Sequence, residues 1–588
     1  MSKRVWFLIL ISSLFLISTF FACRGEYSPG QNEKEVIGEI RDRSAVSAEK
    51  GMVVSADEYA SRIGVDILKK GGNAVDAAVA VGFALAVTYP SAGNIGGGGF
   101  MIICFPDERE PVALDFREMA PGKAAADMYL DAKGHYVKER SFYGHLAVGV
   151  PGTVRGFELA SHRYGVLEWK DVLAPAIELA EKGFELTERR ARSFNYARDK
   201  FPQGTEEFKK IFTKENGSLF KKGDLFDNNE LALSLKLIAN QGADAFYDGE
   251  IAKKIAENME RNSGLITKKD LKNYNAVERT PVSGTYKGFR IISMPPPSSG
   301  GTILIEMLNI LEGFELGQME RFSPKTLHLI AETMKFAYLD RAKYMGDADF
   351  GNIPVDRLIS KAHAKDIRTK IHPDKALPSL ELGKEILTLE EAKETTHYSV
   401  VDKDGLAVAT TYTLNGGYGA GVVVPGTGIL LNNEMDDFNV TPGFTDTEGL
   451  IGTEPNLIHP YKRMLSSMTP TIVEREGQVY LITGSPGGRT IINTVLNVVI
   501  NVLEFKMDIQ KAVDAPRIDH EWMPDVLNVE RKRIRDDVIY ALRSMGHTFK
   551  SSSRLWSQGD AHSIFVDPQT GIYYGAADKR SEGAAIGF

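Results

Sequence analysis

Residues 74–87 read AVDAAVAVGFALAV, a helix-length run in which Asp76 is the only charge. A helix that is apolar all round must be covered on most of its faces. The chain therefore has to build layers on both sides of this segment. Local signals mark its start. A helix over 58–70 is predicted to stop at Gly71-Gly72, which can take the left-handed C-cap conformation. Asn73 can then cap the apolar helix, with Asp76 three residues on as in a capping box. A short strand over 52–55 precedes the pair.

After the apolar helix comes Gly96-Gly97-Gly98-Gly99 and an apolar strand over 100–105. A phosphate loop is a poor reading of these glycines. No Gly-Lys-Ser/Thr follows, and the order helix, glycines, strand reverses that of a nucleotide site. They read better as backbone that approaches another segment closely. Residues 150–370 mix amphipathic helices with short strands, the clearest helix covering 322–345. Pro295 to Gly301 forms a rigid turn between a strand and a helix. Residues 372–394, with Pro373, Pro378 and many charges, read as a mobile linker. Beyond it, 397–402 and 406–413 form a hairpin around Lys403-Asp404-Gly405, and 471–474 with 478–483 form another. An apolar helix is expected over about 490–505.

At the other end, Lys3 and Arg4 precede an apolar stretch over 5–21 and then Ala22-Cys23. That is the pattern of a signal peptide over 1–22. The stretch is slightly short for a membrane-spanning helix of about 20 residues. Phe20-Phe21-Ala22-Cys23 resembles a relaxed bacterial lipobox, which makes Cys23 a lipidation candidate and 23–50 the tether of a lipid anchor. The protein is then expected to be exported, to the bacterial periplasm or as an outer-membrane lipoprotein. The second cysteine, Cys104, sits in an apolar run and reads as a small buried hydrophobe. A net charge of -8 and the lack of a dense Lys/Arg cluster argue against a nucleic-acid partner. A length of 588 residues alone allows three or four domains.

The residues richest in chemistry begin at Thr395. The stretch from Thr395-Thr396-His397-Tyr398-Ser399 through Thr411-Tyr412-Thr413-Leu414-Asn415 to Tyr418-Gly419 resembles the signature of the γ-glutamyltranspeptidase family. Leu406 stands at the hairpin turn where that family carries Ser or Asn. Further landmarks follow the family's order: Leu114-Asp115-Phe116-Arg117, Gly149 to Thr153, Asn432 to Phe438, Ser466-Ser467-Met468 and Gly484-Ser485-Pro486-Gly487-Gly488. The resemblance covers 51–588. It implies an α/β (α+β) fold, a four-layer αββα sandwich of the N-terminal-nucleophile hydrolase type. It also implies a precursor cut between Glu394 and Thr395, giving a large subunit, 51–394, and a small catalytic subunit, 395–588, that stay together as a heterodimer.

Physical chemistry gives each implied role a reason. A threonine hydroxyl is a weak nucleophile and needs a base within reach. Cutting the bond before Thr395 frees its α-amine, which titrates near 7.7–8.0 and can be that base. Taken alone, Thr395 would simply open a β-strand, where threonine is common. By resemblance, Thr413 bonds to the nucleophile hydroxyl and Asn415 helps to hold the α-amino end of the substrate. Arg117 can grip an α-carboxylate with paired donors, Ser466 and Ser467 can add hydroxyls, and Glu434 and Asp437 can accept from the α-ammonium. Each of these alone is ordinarily a surface charge or salt bridge. Gly487 and Gly488, ahead of an apolar helix, can offer backbone N–H groups to a negative intermediate.

The resemblance thus implies transfer of the γ-glutamyl group of glutathione and other γ-glutamyl compounds to water or to amino acids and dipeptides, through an ester on Thr395. It implies no cofactor. No Cys-x-x-Cys or His-Glu-x-x-His suggests a metal. Residues 439–456 resemble the lid of bacterial members, with Glu448 where an aromatic residue often precedes Gly449-Leu450. A looser lid would favour hydrolysis. Two other readings remain open: the same machinery as a cephalosporin or glutaryl acylase or a poly-γ-glutamate depolymerase, and a lipid-anchored binding protein with a dead site.

Overall fold

In a computed structural model of the protein the apolar run forms the helix Ala74–Thr88, and every one of its residues is buried. The structure describes residues 44–201, 204–383, 394–440, 454–530, 533–549 and 557–588. The signal peptide, Cys23 and most of the tether lie outside the described residues, as do 384–393 of the linker and 441–453 of the lid, including Glu448. The expected capping box forms. Asn73 Oδ1 accepts from the amides of Val75 and Asp76, and the Asp76 carboxylate accepts from the Asn73 amide at 3.0 Å. Asp76 also accepts from the amides of Val166 and Leu167, so its buried charge is fully engaged.

Helices Glu58–Lys69 and Ala74–Thr88 pack against one seven-stranded sheet. Edge to edge this sheet runs Ala584–Gly587, Gly51–Ser55, Thr396–Asp402, Ala407–Thr413, Gly98–Cys104, Val112–Phe116 and Val277–Arg279. A second seven-stranded sheet lies against it: Val46–Ala48, Tyr573–Ala577, His562–Val566, Gln478–Thr483, Thr471–Arg475, Phe289–Ser293 and Val282–Tyr286. Every pairing in both sheets is antiparallel. Helices Gly300–Leu311 and Ile509–Asp514 pack on the second sheet, with Pro324–Tyr344 and Thr490–Leu503 against Gly300–Leu311. The layers are therefore αββα, as expected.

Strand periodicity explains the two cores. Val53, Met101 and Ile103 point into the core beneath the Ala74–Thr88 helix, while Met52, Val54, Phe100 and Ile102 point into the one shared by the two sheets. A sheet covered on both faces needs apolar residues at successive positions, which is why its strands read as runs. Cys104 is a free, buried thiol in the second core.

Strands from before Glu394 and after Thr395 interleave in both sheets. Residues 44–588 consequently form one compact unit rather than three or four. The glycine run is a close approach, not a phosphate loop. A Cβ on Gly97 would stand 2.0 Å from the Thr413 carbonyl oxygen, and one on Gly96 2.1 Å from that of Leu430. The mobile-linker reading fails for 372–383. There the Ala376 amide donates to Met545 O, Leu377 to Glu332 and Ser379 to Asp525, and Trp522 Nε1 donates to Ser379 O. Partners distant in sequence satisfy this polar backbone, so its composition misleads.

Candidate active site

The hairpin Thr396–Asp402 with Ala407–Thr413 sets the centre of the site. Its register pairs Thr396 with Tyr412, which puts Thr395 opposite Thr413. Both threonines are buried. Thr413 Oγ1 donates to the Glu394 carbonyl at 2.9 Å, and Thr395 Oγ1 lies 2.8 Å from the same oxygen. The two hydroxyl oxygens are 3.3 Å apart. The Asn415 amide donates to Thr413 Oγ1 at 2.7 Å, which leaves the Thr413 proton for the carbonyl. The bond before Thr395 thus has a polarised carbonyl with the hydroxyl that could attack it alongside.

Asn94, not singled out by the sequence, fixes this strand end. Its Oδ1 accepts from the Gly97 amide and the Thr153 hydroxyl, and its Nδ2 donates to the Thr413 carbonyl. The glycines let the backbone come near enough for these bonds. His397, next along the strand from Thr396, is turned inward. It bonds to Thr411 and Ser399, and burial together with the nearby His562 holds its imidazole well below the usual range, so it stays neutral.

Arg117 follows the strand Val112–Phe116 and is fully buried. Three carboxylates surround it. Glu434 lies 2.5 Å from Nη1, Asp437 pairs with Nη2, and Glu118 lies 3.4 Å from Nη1. The carbonyls of Met464 and Leu465 accept from Nε and Nη2. Burial opposes the guanidinium charge, but Glu434, Asp437 and Glu118 outweigh it and hold the group protonated. One cation cannot hold three buried anions. Burial accordingly pushes Glu118 up to about 8 against the pull of Arg117, and drives Glu434 well above the carboxylate range. Every Arg117 donor is therefore engaged inside the protein, so a ligand carboxylate can reach it only by exchange with one of these partners.

Ser466 and Ser467 lie on an extended segment held by the Pro295–Gly301 turn. Ser299 N donates to Ser466 O, and Ser466 N donates to Pro297 O. Arg341, from the helix Pro324–Tyr344, donates to Ser467 Oγ at 2.7 Å and Ser299 Oγ at 2.9 Å. Gly487 and Gly488 join the strand Gln478–Thr483 to the helix Thr490–Leu503 at φ values of 135° and 57°, which only glycine adopts readily. Among the described residues neither of their amides donates a hydrogen bond.

A small cavity of about 20 Å³ gathers most of the expected residues: Arg117, Thr395, Thr413, Asn415, Glu434, Asp437, Ser466, Ser467 and Gly488, with Met468 and Ile491. Gly487, the chain neighbour of Gly488, does not line it, and Glu394 lines a different cavity. Asn415 spends Nδ2 on the Asn433 carbonyl at 3.0 Å, so the amide oxygen is the end of its side chain able to accept from a ligand. The sequence reading missed Glu118, Asn94 and Arg341. Glu118 directly follows Arg117 beside an apolar strand, which was a usable signal. Asn94 and Arg341 carried none, because their partners are far away in sequence.

Two clusters elsewhere bring metal-ligand types together, namely His328, Glu332 and His547, and Glu306, Asp340 and His363. Both are engaged internally: His328 Nδ1 is 2.8 Å from His547 Nε2, and His363 Nε2 is 2.7 Å from Asp340. No sequence spacing announces them, because each is assembled across separate segments.

Comparison with known proteins agrees with this geometry. The family model described as Gamma-glutamyltranspeptidase matches residues 60–588. The chain is 46% identical over 576 residues to the glutathione hydrolase proenzyme of Escherichia coli, covering 97% of each. The crystal structure of Helicobacter pylori γ-glutamyltranspeptidase is 47% identical with a TM-score of 0.54, covering 58% of this chain and 95% of that one. Cephalosporin acylase from Bacillus halodurans superimposes with a TM-score of 0.81 at 29% identity, covering 93% of this chain and 97% of that one. With its Thr395 hairpin, its αββα layers and a family match over nine-tenths of its length, the chain belongs to the γ-glutamyltranspeptidase family.

Proposed function

We propose that the protein cuts its own chain before Thr395 and then uses Thr395 to take γ-glutamyl groups from glutathione and related compounds. The observation that carries this is the Glu394 carbonyl, contacted at once by the Thr395 and Thr413 hydroxyls. In the cut, Thr395 Oγ1 adds to the Glu394 carbonyl carbon and Thr413 holds the developing oxyanion. The Oγ1 proton passes to the Thr395 nitrogen as the C–N bond breaks, an ester remains, and water opens it to a Glu394 carboxylate and the Thr395 hydroxyl. The freed α-amine of Thr395 becomes the base for its own hydroxyl.

In turnover, the α-carboxylate of the substrate takes Arg117, Ser466 and Ser467, and its α-ammonium takes Glu434, Asp437 and Asn415 Oδ1. The groups gathered here support a zwitterionic head: Arg117 can meet its carboxylate, while Asp437 and Glu434 can accept from its ammonium. A volume of about 20 Å³ holds little more than a water, so the head enters by prying these pairs apart. The Gly487 and Gly488 amides receive the oxyanion. Water, an amino acid or a dipeptide then takes the glutamyl group from the ester. The uncut chain is inactive toward substrates, because its Thr395 nitrogen is an amide. The two chains made by the cut work as a heterodimer.

The test is glutamate release from glutathione by the purified protein, with Thr395→Ala in parallel. Release by the wild type alone supports the assignment. No release by a wild type that has cut itself would move the substrate elsewhere. The likeness to a cephalosporin acylase favours a second reading, in which the same machinery acts as a cephalosporin or glutaryl acylase. Preference for a glutaryl over a γ-glutamyl anilide would establish it.

Export through residues 1–22 and lipidation of Cys23 complete the proposal. They are supported by the charged start, apolar stretch and small residue before Cys23. Mass spectrometry of the mature N-terminus decides it; an unmodified start there removes the anchor. Glu448 in the lid supports a bias toward hydrolysis, which a high transfer-to-hydrolysis ratio at saturating dipeptide would refute.

A further inference from the structure

Three helices beside the second sheet bring Glu306, Asp340 and His363 together. They are Gly300–Leu311, Pro324–Tyr344 and Lys361–Arg368. One ligand atom from each residue lies within 4.8 Å of the other two. His363 Nε2 is 2.7 Å from Asp340 Oδ2 and 3.5 Å from Glu306 Oε1. Glu306 is completely buried, yet neither of its carboxylate oxygens takes part in a hydrogen bond among the described residues. No lysine or arginine of the described residues pairs with any of the three.

A buried carboxylate without a hydrogen bond is costly and calls for a partner. His363 does not supply it, since Nε2 carries at most one proton and already lies at bonding distance from Asp340. A cation reached by all three groups does. Metal–ligand distances of about 2.0–2.2 Å put the donor atoms of a tetrahedral site about 3.3–3.6 Å apart. Glu306 and His363 already stand at 3.5 Å, and Asp340 needs to draw back from 2.7 Å by only about 0.6 Å.

The charges match as well. Two carboxylates and a neutral imidazole balance a divalent ion. Nitrogen and oxygen donors together suit zinc or manganese better than magnesium or calcium, which prefer oxygen alone. The side chains of His363 and Asp340 keep exposures of 16% and 14%, so an ion can enter from solvent. The cluster of His328, Glu332 and His547 differs. There Glu332 is 2.8 Å from Lys335 Nζ and accepts from the Leu377 amide, so its charge is already answered.

We propose that Glu306, Asp340 and His363 bind a divalent cation of the zinc or manganese type, which ties the three helices together. The ion takes the Nε2 lone pair of His363 and an oxygen from each carboxylate, and the protons these groups hold pass to solvent. The pairing of His363 with Asp340 belongs to the metal-free protein. None of the three residues lines the cavities that contain Thr395 or Glu394. The link to the active site is Asp340, whose chain neighbour Arg341 holds Ser467 and Ser299.

The test starts from purified protein stripped with a chelator and dialysed against zinc, manganese or magnesium, with bound metal read by mass spectrometry. The wild type should hold one more equivalent of zinc or manganese than Glu306→Gln, and no such excess of magnesium. Glutamine keeps the side-chain size and removes the charge. Affinity should fall by at least about 10–100-fold, the range for losing even a supporting partner of a ligand. Zinc should raise the melting temperature of the wild type with concentration and leave that of the variant unchanged. Equal metal content or equal thermal shifts in the two proteins would overturn the site. If Glu306→Gln folds poorly, anomalous scattering from zinc-soaked wild-type crystals decides. A peak between the three side chains supports the proposal, and its absence there sinks it.

Discussion

Replacing Thr413 with valine tests the proposed cutting step most sharply. Valine keeps the shape of a buried side chain and removes one hydroxyl. That hydroxyl donates to the Glu394 carbonyl at 2.9 Å and accepts from the Asn415 amide at 2.7 Å. Loss of one donor to an oxyanion costs about 2.7–4 kcal/mol, or about 10²–10³ in rate. Leaving the Asn415 amide without its acceptor adds a stability cost of about 1–3 kcal/mol. The assay is cell-free synthesis of the chain, followed after a stop by the conversion of full-length protein into two chains on a denaturing gel. Thr413→Val should convert about 10²–10³ times more slowly than the wild type, and Thr413→Ser should recover most of the rate. Conversion of the valine variant at the wild-type rate would refute the role of Thr413. A serine variant as slow as valine would assign the loss to packing instead of the hydroxyl.

Arg117→Lys keeps a charge but not the fork that meets Glu434 and Asp437; kcat/KM for glutathione should fall about 100-fold or more, while the self-cut, which Arg117 does not touch, proceeds. Gly97→Ala should yield uncut or insoluble chain, because its Cβ would press on the Thr413 carbonyl at 2.0 Å; normal cutting would show that the strand end can shift at little cost. Binding of free glutamate near pH 7 should release protons, since its ammonium favours ionisation of the raised Glu118 and Glu434 carboxyls; calorimetry in buffers of different ionisation enthalpy reads this, and zero or negative release counts against the charge argument. His363 is raised to about 9, chiefly by its bond to Asp340, so the stability it adds is complete below about pH 6.5 and lost as pH rises through 9. A wild type and a His363→Gln variant whose melting temperatures fall in parallel over that window would contradict it.

Legibility in the sequence followed distance along the chain. The capped helix at 74–88, the hairpin at 396–413 and the second hairpin at 471–483 were readable because their signals lie within a few residues. The glycine run was readable as a close approach, but not what it approaches. Residues 372–383 were misread because acceptors and donors from Glu332, Asp525, Met545 and Trp522 settle a segment whose own composition suggests a linker. Within the site, residue types were legible through the family resemblance, whereas their mutual engagement was not. Nothing in the sequence reveals that Arg117, 320 residues from Asp437, arrives already paired with it. Glu118, Asn94 and Arg341 share that obscurity, being supports whose meaning comes from what folds against them.

The order in which this sheet is assembled has a consequence for synthesis. The strand that follows Thr395 pairs on one side with Gly51–Ser55, which pairs in turn with Ala584–Gly587. A growing chain therefore cannot complete this part of the sheet until residues 584–587 have been made, on the order of 10–40 s after Thr395 at usual elongation rates. If the proposed scission needs the assembled sheet, a polypeptide halted before residue 584 should stay in one piece and never acquire the amine that would arm it.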